Sequence, residues 1–165
     1  MAFSDIANSR IARSIGGVAA ACVIQLATSS EGTIKRTYYD PVPILTACTG
    51  HTDPHLRIGQ VFTDEECQQF LDMDLTNAAR GMQDCTRVLL HTGELVAYTD
   101  FAFNEGIHAF CTSTLAKKLN AGDRAGACGE LLRWDKARLN GKQVTLPGLT
   151  VRRHKEYSYC MEGAS

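Results

Sequence analysis

Apolar and polar positions divide the chain into three regimes. From Ser14 to Ser30 the text SIGGVAAACVIQLATSS carries no charge over 17 residues, and Arg10 and Arg13 stand just ahead of it. That length is the lower edge of what spans a bilayer as a helix. Gly16, Gly17, the alanines and a central Gln25 make the run only weakly apolar, so it predicts a helix able to partition either into lipid or onto the protein. Two short strands follow, around Lys35 to Tyr39 and Ile44 to Ala47. Pro43, with no N–H for a ladder, belongs to a turn or edge between them. From Thr63 the period becomes helical. Thr63 and Glu66 form a capping box, Phe70, Leu71, Leu75, Ala78, Ala79 and Met82 recur at helical spacing, and Gly59 and Gly81 mark bounds. Further helices are predicted over Thr92 to Asn104, Ser113 to Asn120, Arg124 to Asp135 and Pro147 to Glu162, with turn formers such as Leu139-Asn140-Gly141-Lys142 between them. The class is α+β and mostly helical: a small β-containing lobe and a larger helical lobe, joined by a long helix, with a cleft between them.

Composition adds limits. A chain of 165 residues, 44% of them hydrophobic, fills one real core. Net charge is −1 from 17 basic and 18 acidic residues, so no global field recruits nucleic acid. Neither a zinc spacing nor a glycine-rich phosphate loop is present, and the expectation is a monomer without metal or cofactor. Seven cysteines are many for a reducing compartment and point to an oxidising one. Cys22 lies alone in the N-terminal run. The six after residue 31 are expected to pair in sequence order, Cys48 with Cys67, Cys85 with Cys111 and Cys128 with Cys160, which is one of fifteen pairings.

The chemistry concentrates between Ser30 and Thr52. Glu31 ends the apolar run, where partial desolvation favours a proton-holding carboxyl suited to general acid work. Asp40 follows Tyr38-Tyr39 and precedes Pro41-Val42-Pro43, a loop setting that keeps a carboxylate wet and ionised. Two acids in different environments take different roles. Thr46 offers a hydroxyl to hold a water beside Asp40, and glycoside hydrolysis needs such a set.

These residues, Glu31-Gly32, Tyr39-Asp40, Thr46 and Gly50-His51-Thr52, resemble the family-24 glycoside hydrolases, the lysozyme family of T-even phages and many lambdoid-phage endolysins. The resemblance covers about residues 31 to 160. It implies a lysozyme-like fold and a catalytic triad of Glu31, Asp40 and Thr46, with inverting hydrolysis of the β-1,4 bond between N-acetylmuramic acid and N-acetylglucosamine in peptidoglycan. It pairs His51 with Asp74 on the long helix as a structural contact, and makes Phe103, Asn104 and Ser113 saccharide contacts. Ser113 also reads as a helix N-cap and Phe103 as a core aromatic. Trp134 reads as core, and Arg152 and Arg153 as partners of acids or helix ends. Similar cysteine positions occur in related endolysins. The N-terminal run is similar to their signal-arrest-release segments. Residues 1–30 are then an export segment and residues 31–165 the catalytic domain. The protein is first tethered in the host inner membrane with its N terminus in the cytoplasm, then released to the periplasm for host lysis. Cleavage at Ala27-Thr28-Ser29 would leave Glu31 without a preceding helix. Some relatives use a cysteine in this segment for thiol control, but they carry a cysteine where this chain has Asp40. Other classes are a lytic transglycosylase, a membrane-active protein with an inert body, and a glycan-binding module; an intact triad favours hydrolysis.

Overall fold

The uncharged run folds as part of the main body of the chain. In the computed structural model, which describes residues 6–39, 44–139 and 141–163, the uncharged run and the residues just ahead of it form two helices, α1 (Arg10–Ile15) and α2 (Gly17–Glu31). Gly16 separates them at φ +85° and ψ 152°, a conformation open essentially to glycine alone. Ser9 caps α1 through its hydroxyl, and Asp72 from a distant helix accepts the N–H groups of Arg10 and Ile11 at 3.0 and 2.9 Å. In α2 the buried positions are Ala19, Ala20, Val23, Leu26 and Ala27, one face of a helix. At fifteen residues its length is about 22 Å, short of the ~30 Å hydrocarbon core. Among the described residues no helix is long and apolar enough to cross a membrane.

β1 (Ile34–Tyr39) and β2 (Leu45–Cys48) form an antiparallel pair with Tyr38 opposite Thr46, close to the spans read from sequence. Pro43 and Asp40 lie outside the described residues. The segment around Gln60 to Phe62 lies along the free edge of β1, through Thr37 N to Gln60 O at 3.0 Å and Phe62 N to Lys35 O at 2.8 Å. The predicted capping box then starts α3 (Asp64–Asp84). Gly81 does not bound this helix but lies within it. A Cβ there would come within 2.5 Å of Ile107, so the glycine permits close approach of the chain beyond.

α4 (Thr92–Glu105), α5 (Ile107–Thr112), α6 (Thr114–Asn120) and α7 (Arg124–Leu131) complete most of the helical lobe. The helix expected from Arg124 to Asp135 stops early. An antiparallel hairpin, β3 (Lys136–Leu139) and β4 (Lys142–Thr145), follows instead, with Gly141 at φ +79°. All of β4 is exposed, so no apolar alternation announced it. Pro147 opens α8 (Pro147–Gly163), its missing N–H harmless in a first turn.

One core gathers Met82, Tyr98, Phe101, Phe110, Leu115, Leu119 and Leu131 between the later helices, with Trp134 edge-on to Phe101 at 5.1 Å. A second core packs Ile11, Ile15, Val23 and Leu26 against Leu71, Leu75, Ala79 and Val96. α2 therefore crosses residue 30 without a break, and its apolar face is buried against α3 and α4. The cysteines join in the expected order: Cys48–Cys67 ties β2 to α3, Cys85–Cys111 ties the end of α3 to α5, and Cys128–Cys160 ties α7 to α8. Cys22 is free and half-buried, packed into the second core with Tyr159.

Candidate active site

A cleft of about 670 Å³ lies between the small lobe and the helical body. The end of α2 brings Glu31 to it, the small sheet brings Tyr38 and Thr46, the turn after β2 brings Gly50 and Thr52, and α4 brings Phe103 and Asn104. The start of α8 closes the far side with Leu146 to Leu149 and Arg152.

Glu31 is not seated in an apolar pocket, as its place after the apolar run suggested. Its Oε1 accepts a hydrogen bond from Arg152 Nη1 at 2.7 Å, with the side chain 23% exposed. Oε2 turns towards Gly50. A Cβ on Gly50 would overlap that oxygen, and Gly50 has φ +75°, so both space and backbone demand glycine.

Arg152 is buried at 3% side-chain exposure and held from behind by Asp100, which is fully buried. Its Nε and Nη2 donate to the two Asp100 oxygens at 2.7 and 2.9 Å, the two-pronged geometry at which guanidinium and carboxylate bind best. Burial works against the Arg152 charge, but the Asp100 and Glu31 carboxylates outweigh it and raise its pKa. Next along α8, burial lowers the Arg153 pKa, opposed by Glu156 at 3.2 Å and Glu105 at 3.7 Å. Burial pushes the Glu156 carboxyl well up and Glu105 up, with Arg153 pulling each the other way.

Thr46 is 3% exposed, and its hydroxyl donates to the Ile44 carbonyl at 3.1 Å, leaving its lone pairs as acceptors. Asp40 lies outside the described residues. His51 Nδ1 is 2.8 Å from Asp74 Oδ2, and the ring stacks on Phe70 at 4.2 Å; this contact pins the turn carrying Gly50 to α3. Phe103 and Asn104 line the cleft, with Arg153 Nη2 donating to Asn104 Oδ1.

Ser113 does not share that place. It is 6% exposed at the start of α6, donates to Phe110 O at 2.6 Å and accepts from Ala116 N at 3.0 Å. A hydroxyl so buried and bonded is a helix cap, and Ser113 is not among the described residues that line the cleft. Asp100 was not foreseen. A carboxylate inside the apolar stretch Val96-Ala97-Tyr98-Thr99-Asp100-Phe101-Ala102 needs a cationic partner, and that was the available signal. Among the described residues no cluster of histidine, cysteine and acidic side chains is arranged to hold a metal ion.

Known proteins share this arrangement of sequence. Residues 28–156 match the family described as phage lysozyme. The SAR-endolysin of Bacteriophage PS119 is 36% identical over 169 residues, covering 99% of each chain. An endolysin of Acyrthosiphon pisum secondary endosymbiont phage 1 is 43% identical over 126 residues, covering 76% of this chain and 86% of its own. Among solved structures, the muramidase domain of SpmX from Asticaccaulis excentricus superposes with a TM-score of 0.78 at 28% identity, covering 86% of this chain and 95% of the other. With the matched segment spanning both the acid at Glu31 and the arginine at Arg152 that holds it, the chain belongs to the phage lysozyme family.

Proposed function

We propose that this phage lysozyme is an endolysin: a muramidase that hydrolyses the β-1,4 bond between N-acetylmuramic acid and N-acetylglucosamine in peptidoglycan and so lyses a bacterial host. The observation that carries the reading is the Glu31 carboxyl, one oxygen fixed by Arg152 and the other turned to a cleft that Thr46 also lines. Glu31 Oε2 gives its proton to the glycosidic oxygen as the bond from the sugar C1 to that oxygen breaks. Asp40 and Thr46 hold a water on the opposite face. That water adds to C1 and passes a proton to Asp40, which inverts the anomeric centre. Phe103 and Asn104 contact the saccharide, and no cofactor enters the reaction.

Residues 1–30 act as an export segment. Arg10 and Arg13 hold the N terminus in the cytoplasm while the uncharged run lodges in the inner membrane. On release into the periplasm the run takes the docked form, α1 and α2 against α3 and α4. A tethered form needs Gly16 to become helical, fusing residues 10 to 31 into one helix about 33 Å long.

Glu31→Gln tests the chemistry by loss of turbidity of isolated cell walls. A general acid supplies about 10²–10⁴-fold, and the variant is expected to lose at least the lower figure. Retained activity rejects the assignment. Mass spectrometry of products from the native enzyme should show hydrated reducing ends and no anhydro sugar.

A further inference from the structure

Arg152 poses a chemical problem. A guanidinium touching a carboxylate favours its ionised form, typically by one to three pH units, whereas a general acid must keep its proton. The other side of the same guanidinium resolves the conflict. We propose that Asp100 is a positioning residue for the acid: it neutralises Arg152, so that the guanidinium holds Glu31 Oε1 without imposing its full positive charge on the carboxyl that must donate. The proposal rests on the reading of Glu31 as that acid.

The geometry divides Arg152 between its two partners. Nε and Nη2 go to Asp100, and Nη1 goes to Glu31. Three separate helices supply the three residues, so the arrangement is built by the tertiary fold. Asp100 is fully buried and Arg152 nearly so. Their mutual attraction is therefore little weakened by water or salt, and most of the guanidinium field is cancelled where it arises. An amide at residue 100 would not serve, since its NH₂ faces a donor where the carboxylate accepts.

The surrounding charges leave this role to Asp100. Glu156 stands 3.7 Å from Arg152 Nε, farther than either Asp100 oxygen, and burial, with the neighbouring Asp100 carboxylate adding to it, pushes its carboxyl well up. Arg153 is met by Glu156 and Glu105. Of the described residues lining the cleft, Glu31 and Arg152 are the charged ones, with the Tyr38 phenol facing from β1. Lys155 lies outside, its Nζ 3.5 Å from Ser29 Oγ. In the proposed mechanism Asp40 is the other acid of the reaction.

The test is the pH profile of wall hydrolysis for the wild type, D100N, E31Q and the double variant D100N/R152Q, on protein verified as folded by circular dichroism. D100N releases the positive charge of Arg152 onto Glu31, the acid ionises earlier, and the high-pH limb should move down by about one unit. On the falling side the rate then drops about tenfold, and it recovers at lower pH. An unmoved limb, or an equal loss at every pH, overturns the proposal, because lost geometry alone does not shift a limb. If D100N does not fold, D100N/R152Q carries the test, since removing both partners of a buried pair is commonly tolerated. A limb close to wild type supports compensation, and a limb raised by about a unit or more shows Arg152 acting uncompensated and overturns it. An inactive E31Q beside an unmoved D100N limb rejects Asp100 alone, whereas an active E31Q rejects the acid assignment and this proposal with it.

Discussion

Replacing Gly50 by alanine separates what the small lobe asks of its backbone from what the acid asks of its surroundings. The left-handed φ of +75° costs a residue bearing a Cβ about 1–2 kcal/mol. That Cβ would also stand 3.5 Å from Glu31 Cδ, well inside contact distance of Oε2, with the Phe103 ring 3.9 Å away. The end of a glutamate yields at little cost in stability, but to regain ordinary contact it must swing back by about 1 Å. A misplacement of that size costs on the order of 10²-fold in rate. Gly59 is the control, since it has φ +86° and no atom within 4 Å of an added Cβ. G50A and G59A should both lower the thermal midpoint by roughly 2–8 °C, the size expected for 1–2 kcal/mol in a chain of this length. G50A alone should lose about two orders of magnitude in wall-turbidity assays. Wild-type rates in G50A, or an equal loss in G59A, would refute the placement of Oε2 over Gly50.

Three further outcomes follow from packing. The Cys128–Cys160 bridge spans 32 residues, and its removal as the double alanine variant should cost about 3–4 kcal/mol, read from the urea midpoint. Arg124→Ala strips the fully buried Glu94 of its guanidinium, and the orphaned charge should cost about 3–5 kcal/mol by the same measurement. Gly16→Ala strains the break between α1 and α2 by about 1–3 kcal/mol while favouring a continuous helix by up to ~1 kcal/mol. In fractionated cells the variant should therefore shift from the soluble to the membrane pool with delayed lysis, and an unchanged distribution would dismiss Gly16 as the hinge.

Features with a local cause were legible in the sequence. The capping box at Thr63 and Glu66, the strands flanking residue 40 and the pairing of His51 with Asp74 each follow from nearby residue chemistry or from a motif quoted residue by residue. Features whose cause is tertiary were not. Gly81 looked like a helix stop, because nothing local reveals that Ile107 will press against it. Ser113 sits in a segment resembling a cleft wall, yet its hydroxyl is consumed by the helix start beside it. The environment of Glu31 was misread for a related reason. It closes an uncharged, weakly apolar run, but what touches its carboxyl arrives from 121 residues away.

That distance bears on how the acid is assembled. Glu31 closes α2, Arg152 lies on α8 and Asp100 on α4, so the contact to Nη1 exists only while α2 lies against the body. Burying Ile11, Ile15, Val23 and Leu26 contributes about 1.5–3 kcal/mol each against water, but far less against lipid, whose tails are as apolar as the core. Between the proposed tethered form and the docked one the apolar term would therefore nearly cancel. The choice falls to contacts that lipid cannot match: the Asp72 carboxylate on the N–H groups of Arg10 and Ile11, the Ser9 cap, and the glycine conformation at residue 16. A more apolar run would stay in the membrane, and a more polar one would not enter it. Under the proposed export reading, the weak hydrophobicity of residues 14–30, with Gln25 near its middle, is what would leave both states within reach of a few polar contacts. Glu31, the proposed acid, stands at the end of that run, so its contact with Arg152 depends on the same docking.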